Sequence, residues 1–540
     1  MSELELITNA NLPADPPYWI SAFQTQYAGL WQDGGDLGAI VNYSFQDSGF
    51  DVYGTSPLRA MTAAEKAAAV AAFAAISAVA NLSFVESADA ELQIGVSSAT
   101  TAGLPYGVAS TPNLTYTNND LSTLHFVDGP SKVTFYDKFY STASGLAQNS
   151  YIWLHEFLHS VGLQHSTSVH GNPDGIPLAE ANGTTLFGYW YSVAGGYQDA
   201  PQLFDIAALQ YLCGPNTSVR AGNDSYGIGL GAYNPAQPGL NQTLLWDGGG
   251  LDEINLSASA RSMNVTLVAG IISRVGGATG GILDADTFAI NYHTVIESLR
   301  TGSGNDRLTG NDVANSLHAG AGRDSLFGGL GDDSLAGGLG NDLIHGGAGT
   351  DTAVFLGTVA VIVDLSLTTS QNTGAGIDRL RSIENLISGD GDDSLTGSTG
   401  RNSLISGAGN DTLNAGDGND YLSGGRGRDR LIGGDGKDVF VFDTAFSASN
   451  IDNLVDFNTT DDICWLKAAV FDGLALGRLS LTAFAANATG DAVDAGDRIL
   501  FNTTSGNLYF DADGTGSALG VLFATLDPTT ALSNADFVVF

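Results

Sequence analysis

The chain has 540 residues, too many for one core, and at roughly 100 to 200 residues per domain it divides into three or four units. Its 58 acidic residues against 20 basic ones give a formal net charge of -38, which repels nucleic acid and anionic membrane surfaces and strains any compact state that binds no cations. Cys213 and Cys464 are the only cysteines and lie in different regions, so no disulfide framework is indicated.

In chain order, residues 1–20 lack a basic segment followed by an apolar one and do not read as a Sec-type signal peptide. Residues 1–15, ahead of Pro16-Pro17, read as a tail or removable propeptide. The longest apolar run, 67–80, is about 14 residues against the roughly 20 needed to span a bilayer. It follows Thr62-Ala63-Ala64-Glu65, a capping-box pattern, and predicts a soluble helix. Residues 92–96, Leu-Gln-Ile-Gly-Val, read as a short strand.

Chemistry concentrates in His155-Glu156-Phe157-Leu158-His159-Ser160-Val161-Gly162-Leu163-Gln164-His165, a complete H-E-x-x-H-x-x-G-x-x-H. On a helix His155 and His159 project from one face and reach one zinc ion. Gly162, free to take a left-handed conformation, ends the helix and returns His165 to the same metal. Three neutral imidazoles leave one zinc position open for water, and Glu156, beside His155, is placed to take its proton as general base.

Glycine, 71 residues in all, concentrates after residue 220. From residue 301 a nine-residue period carries Asp306, Asn315, Asp324, Asp333, Asp342 and Asp351. A second array carries Asp393, Asn402, Asp411, Asp420, Asp429 and Asp438, with Leu308, Leu326, Leu335, Leu395, Leu413, Leu422 and Leu431 at the apolar position of G-G-x-G-x-D-x-U-x. The glycines allow a tight turn, the leucine fills the coil, and each aspartate supplies half of a calcium site. Hard oxygen ligands with no His or Cys cluster select calcium, and several ions are expected on Asp306, Asp324, Asp333, Asp342, Asp351, Asp393, Asp411, Asp420, Asp429 and Asp438. Asn315 and Asn402 are the weak positions. The alternating stretch 351–378 predicts strands that cover the rolls.

The arrays resemble the RTX (repeats in toxin) family, with Ile296-Glu297-Ser298-Leu299 and Ile383-Glu384-Asn385-Leu386 leading into them. The ending Ala535-Asp536-Phe537-Val538-Val539-Phe540 is similar to the group's uncleaved type I secretion signal, which implies export by an ABC transporter complex. With the zinc motif, the chain resembles a serralysin, a metzincin protease carrying an RTX roll. Phe204-Asp205-Ile206-Ala207, Arg220-Ala221-Gly222-Asn223-Asp224 and Leu245-Trp246-Asp247-Gly248 extend the similarity.

The resemblance implies an α+β metzincin catalytic domain followed by an all-β parallel β-roll domain with β-sandwich-like covering strands. The boundaries are a protease domain over 16–215, a linking β segment over 216–300, rolls over 301–354 and 388–441, connecting strands over 355–387, and a C-terminal β region over 442–540. Gln93, Ile94, Gly95 and Val96 take the place of the family's edge strand, to which a substrate adds as a further strand. The implied function is a secreted, extracellular, monomeric endopeptidase with one catalytic zinc, acting on proteins or peptides, with no nucleic-acid partner and no membrane span.

One feature departs from the family. Where serralysins have a methionine turn, this chain has Ser192-Val193-Ala194-Gly195-Gly196-Tyr197, with Ala194 in place of the methionine. Gly196 aligns with the family's metal-side tyrosine, and Tyr197, one residue on, is the candidate transition-state donor. An exported, non-catalytic calcium-binding protein with a degenerate protease domain is the alternative reading.

Overall fold

A computed structural model describes residues 39–49, 58–78, 80, 82–88, 90, 92–97, 107–109, 114–116, 124–126, 131–136, 157, 216–227, 244–276, 286–291 and 293–540. The chain forms two compact units, one of Met1–Asp252, Ala269–Arg274 and Ala278–Ile296, the other of Glu253–Val268, Val275–Gly277 and Glu297–Phe540. The stretch 216–300 contributes to both.

The first unit contains β1 (Ala39–Gln46), β2 (Leu58–Arg59), α1 (Ala63–Ser77), β3 (Leu82–Glu86), β4 (Leu92–Ser97), β5 (Gly107–Ala109), β6 (Leu114–Tyr116), β7 (Leu124–Phe126) and β8 (Ser131–Tyr136). Its main sheet runs β3-β1-β4-β8-β5. The first four strands are parallel and β5 is antiparallel to β8. The helix begins where the capping pattern places it: Thr62 Oγ1 accepts from the Glu65 amide at 3.3 Å, and Glu65 Oε2 accepts from the Thr62 amide at 2.7 Å. Burial alone would raise the Glu65 pKa, but hydrogen bonds from Arg59 and Thr62 hold it below the usual carboxylate range.

The strand reading of residues 92–96 holds, but their edge position does not. β4 pairs with β1 on one side and along its whole length with β8 on the other, and β2 takes Val96 and Ser97 where β1 has ended. Gly95 permits that approach, because a Cβ there would lie 2.6 Å from Leu58 Cδ1. Gln93, Ile94, Gly95 and Val96 therefore have no free backbone edge to offer a substrate. The antiparallel β5 is the outer strand next to β8.

In the second unit the nine-residue sequence period becomes an 18-residue coil, two repeats per turn. Arg307–Thr309, Ser325–Leu330 and Leu343–Ala348 stack in parallel on one face, and Ser298–Arg300, Ser316–His318 and Ser334–Ala336 on the other. The middle residue of each strand points inward, so Leu308, Leu326 and Ile344 form one buried column and Leu317, Leu335 and Ala353 the facing one. In the second array Leu395, Leu413 and Leu431 face Leu404, Leu422 and Phe440 in the same way.

The strands expected over 351–378 do not cover the rolls. Ile377–Arg381 continues one face of the first coil, Ile362–Asp364 opens a face of the second, and Thr352–Phe355 pairs with Asn385–Ser388 so that one sheet runs through both arrays. Their alternating pattern is that of roll strands with one buried side. Near its end the sheet carries Phe537–Val539, parallel to Ile463–Leu466 and flanked by the antiparallel Gly477–Arg478, with Phe537 and Val539 buried.

Replacing Leu413 by Ala removes a column member packed between Leu395 and Leu431 and is expected to cost about 3 kcal/mol. Urea unfolding in saturating calcium checks this, and a change below about 1 kcal/mol contradicts the packing described.

Candidate calcium ladder and metal-binding motif

The unit Gly424-Gly425-Arg426-Gly427-Arg428-Asp429 shows how sequence becomes a binding cradle. Gly425 has φ of 78° and Gly427 of 145°, conformations that side-chain-bearing residues rarely adopt. At Gly424 the reason is space: a Cβ would collide with Asp429 Oδ2. The glycines thus bend the chain and leave the carboxylate room.

Each repeat aspartate is at most 3% exposed and uses its two oxygens differently. Oδ1 accepts an amide hydrogen from the preceding turn: Asp324 from the Asp306 amide at 2.7 Å, Asp342 from Asp324 at 2.8 Å, Asp411 from Asp393 at 2.7 Å and Asp429 from Asp411 at 2.9 Å. On the other side of the coil Asp333, Asp351, Asp420 and Asp438 do the same to residues 18 positions earlier. Oδ2 of Asp306, Asp324, Asp333, Asp342, Asp351, Asp393, Asp411, Asp420, Asp429 and Asp438 is buried with no hydrogen-bond partner.

A buried carboxylate oxygen without a donor is costly, and a column of them is repulsive. Burial, with adjacent aspartates adding to it, lifts the carboxyls of Asp324, Asp333, Asp411 and Asp420 to about 6 and that of Asp342 to about 7. These orphaned hard oxygens, set against glycine turns with no room for a side chain, fit calcium.

Asn315 and Asn402 behave differently. The Oδ1 of each accepts from an amide four residues back, Asn311 or Ser398, at 2.7 Å. The Nδ2 of Asn402 donates to Glu384 O at 2.6 Å. Their amides satisfy themselves locally and close the first turn of a column, which suits positions that carry no ion.

The ladder also extends past the repeats. Asp378 accepts from the Asp342 amide at 2.8 Å, Glu384 from Asp351 at 2.8 Å, Asp452 from Asp429 at 3.2 Å and Asp462 from Asp438 at 3.0 Å. These four acids end the columns. The sequence reading missed them because spacings of 36, 33, 23 and 24 residues break the period. A second set also went unrecognised. Asp224, Asp247 and Asp252 bring carboxylate oxygens within 4.8 Å of one another, and the Tyr226 hydroxyl donates to Asp247. Their hard oxygens suit a calcium ion, and the only sequence signal was three acids around glycine turns.

His155, Glu156, His159, His165, Ala194 and Tyr197 lie outside the described residues. Phe157, within the motif, is helical and fully buried. Its ring stacks on Phe73 of α1 at 4.3 Å, and Phe73 stacks in turn on Phe84 at 4.2 Å.

The RTX calcium-binding nonapeptide repeat family matches residues 300–335, 318–353, 387–422 and 414–444. A serralysin of Photorhabdus laumondii is 30% identical over 315 residues, 51% of this chain and 60% of its own length. A serralysin of Proteus mirabilis is 33% identical over 183 residues, 30% of this chain and 36% of its own. Metallopeptidase AprA of Pseudomonas marginalis is 27% identical over 356 residues, 57% of this chain and 69% of its own. The chain is a homologue of the serralysins that carries RTX repeats. It spans 36% and 60% of the lengths of the two serralysins named.

In this serralysin homologue the repeat matches fall on the two stretches that bear the orphaned Oδ2 atoms. Among the described residues, no helix is long and apolar enough to cross a membrane.

The raised carboxyl pKa values fix a pH signature. Unfolded aspartates titrate near 4, while Asp324, Asp333, Asp342, Asp411 and Asp420 titrate at about 6 to 7 when folded without metal. Their contribution to the metal-free roll is complete below about pH 4 and is lost as pH rises through 6 to 7. Thermal melts between pH 5 and 8 are expected to show stability falling with pH in EDTA and rising with pH in millimolar calcium, since protons compete for the same oxygens. Equal slopes in the two conditions contradict the assignment.

Proposed function

We propose that this chain is an extracellular, zinc-dependent endopeptidase stabilised by calcium. The observation that carries the reading is the complete H-E-x-x-H-x-x-G-x-x-H from His155 to His165 in a homologue of the serralysins. The buried Phe157 supports it. By helical periodicity alone, positions 155 and 159 share one face and position 157 takes the opposite one.

The donor set of three imidazoles fits zinc, with His155, His159 and His165 as its holders. When bound there, zinc supplies a Lewis acid that polarises the scissile carbonyl and acidifies water. Glu156 takes the proton from the attacking water and passes it to the leaving amine. Tyr197 is the candidate donor to the developing oxyanion, reaching it through a local backbone shift past Gly196.

The domain layout follows the same reading: an α+β metzincin domain over 16–215, and RTX rolls over 301–354 and 388–441. The sheet order β3-β1-β4-β8-β5 supports placing the substrate against the outer edge of β5, as an added strand, in place of β4. The RTX arrays support secretion through a type I ABC-transporter apparatus, with proteins or peptides as substrates.

The alternative, an exported calcium-binding protein without catalysis, is favoured by Ala194 alone. Loss of a methionine's packing beneath the site loosens it while leaving all three imidazoles and Glu156 in the chain.

Glu156→Gln is expected to lower casein hydrolysis by about a hundredfold or more while the purified protein keeps one zinc by metal analysis. His159→Ala is expected to lose both zinc and activity. Wild-type protein that binds zinc but cleaves nothing overturns the reading in favour of the alternative, and full activity in Glu156→Gln overturns the mechanism.

A further inference from the structure

The outward side of the first roll carries a patch of arginines and aromatic rings. Leu308, Leu326, Ile344 and Leu380 point inward, so their neighbours on each strand point out. One outward row reads Asn264, Arg307, Ser325, Leu343 and Arg379 across adjacent strands. The next reads Thr309, Phe327, His345 and Arg381. Arg307 and Arg379 are three strand spacings apart, about 14 Å.

Two of these guanidiniums are uncommitted. Arg307 lies over the Phe327 ring with its central carbon 4.1 Å from the centroid, and Phe327 stacks on His345 at 6.2 Å. Stacking fixes the guanidinium while leaving its N–H groups free for a carboxylate. The side chains of Arg307 and Arg381 are exposed and make no hydrogen bond or ion pair among the described residues. Arg379 is tied down by its Nε donating to Thr368 O at 3.0 Å.

We propose that this face, centred on Arg307, Phe327, His345 and Arg381, binds an anionic polysaccharide of uronic acid sugars. Charge complementarity selects an anion, and the net charge of -38 selects among anions. Nucleic acid and anionic membranes are dense polyanions that the whole molecule repels. A uronate chain carries carboxylates separated by sugar rings. Its carboxylates match separated arginines, its ring faces match Phe327 and His345, and its hydroxyls match Asn264, Ser325 and Thr309. An acidic peptide fits less well, because Arg307–Thr309, Ser325–Leu330 and Leu343–Ala348, which form the centre of this face, each pair with a strand on both sides.

The test uses the full chain in saturating calcium with a hyaluronan octasaccharide as probe, read by titration calorimetry. Wild type is expected to bind, and Arg307→Ala with Arg381→Ala is expected to lose about tenfold or more in affinity. Phe327→Ala weakens binding, while Arg430→Ala, a charge-matched change on the second roll, leaves it unaltered. Calcium-dependent circular dichroism identical to wild type shows that each variant is folded. The proposal is overturned if the double variant binds as wild type does, if Arg430→Ala weakens binding equally, or if polyglutamate or phosphatidylglycerol vesicles bind as tightly with the same dependence on Arg307 and Arg381.

Discussion

The second unit depends on an unequal division of labour within each buried aspartate. Oδ1 ties one coil turn to the next through a backbone amide, and Oδ2 is left in the interior without a donor. The first bond sets the register of the roll. The second oxygen makes that register unfavourable until a cation completes it. A cation bound to these oxygens adds its binding energy directly to the stability of the state that binds it, and the RTX repeat match together with the hard oxygens points to calcium.

That constraint explains the composition. A chain with a net charge of -38 pays for compaction in self-repulsion, and most of the buried acids among the described residues sit in these columns. The glycines at 424, 425 and 427 are required by the same geometry, one to leave space and two to bend the chain. The leucine columns supply an apolar filling that gains from every added turn. A single sheet continues from the first array into the second and on through Phe537–Val539 to Gly477–Arg478.

Much of this was legible in the sequence because a repeat is written once per turn. The nine-residue period located the buried aspartates and leucines directly, and the self-satisfied Asn315 and Asn402 stood out as exceptions to it. Asp378, Glu384, Asp452 and Asp462 were not legible, because insertions between turns erase the period while the coil geometry continues. The stretch 351–378 misled for a related reason: alternation identifies one buried side but not which sheet buries it. Residues 92–96 were read correctly as a strand, yet only the pairing of β4 with both β1 and β8 shows that it is interior. The H-E-x-x-H-x-x-G-x-x-H pattern is legible at the level of residue types and spacing, because the chemistry proposed for it rests on four side chains within eleven positions.

Hydrogen exchange of the backbone amides of residues 306–351 and 393–438, in EDTA and in millimolar calcium, tests the dependence of the roll on its metal most directly. Strong protection in calcium and near-complete loss of it in EDTA at pH 7.5 is the predicted result. Equal protection in both conditions would show that the aspartate columns hold together without a cation and would contradict the account.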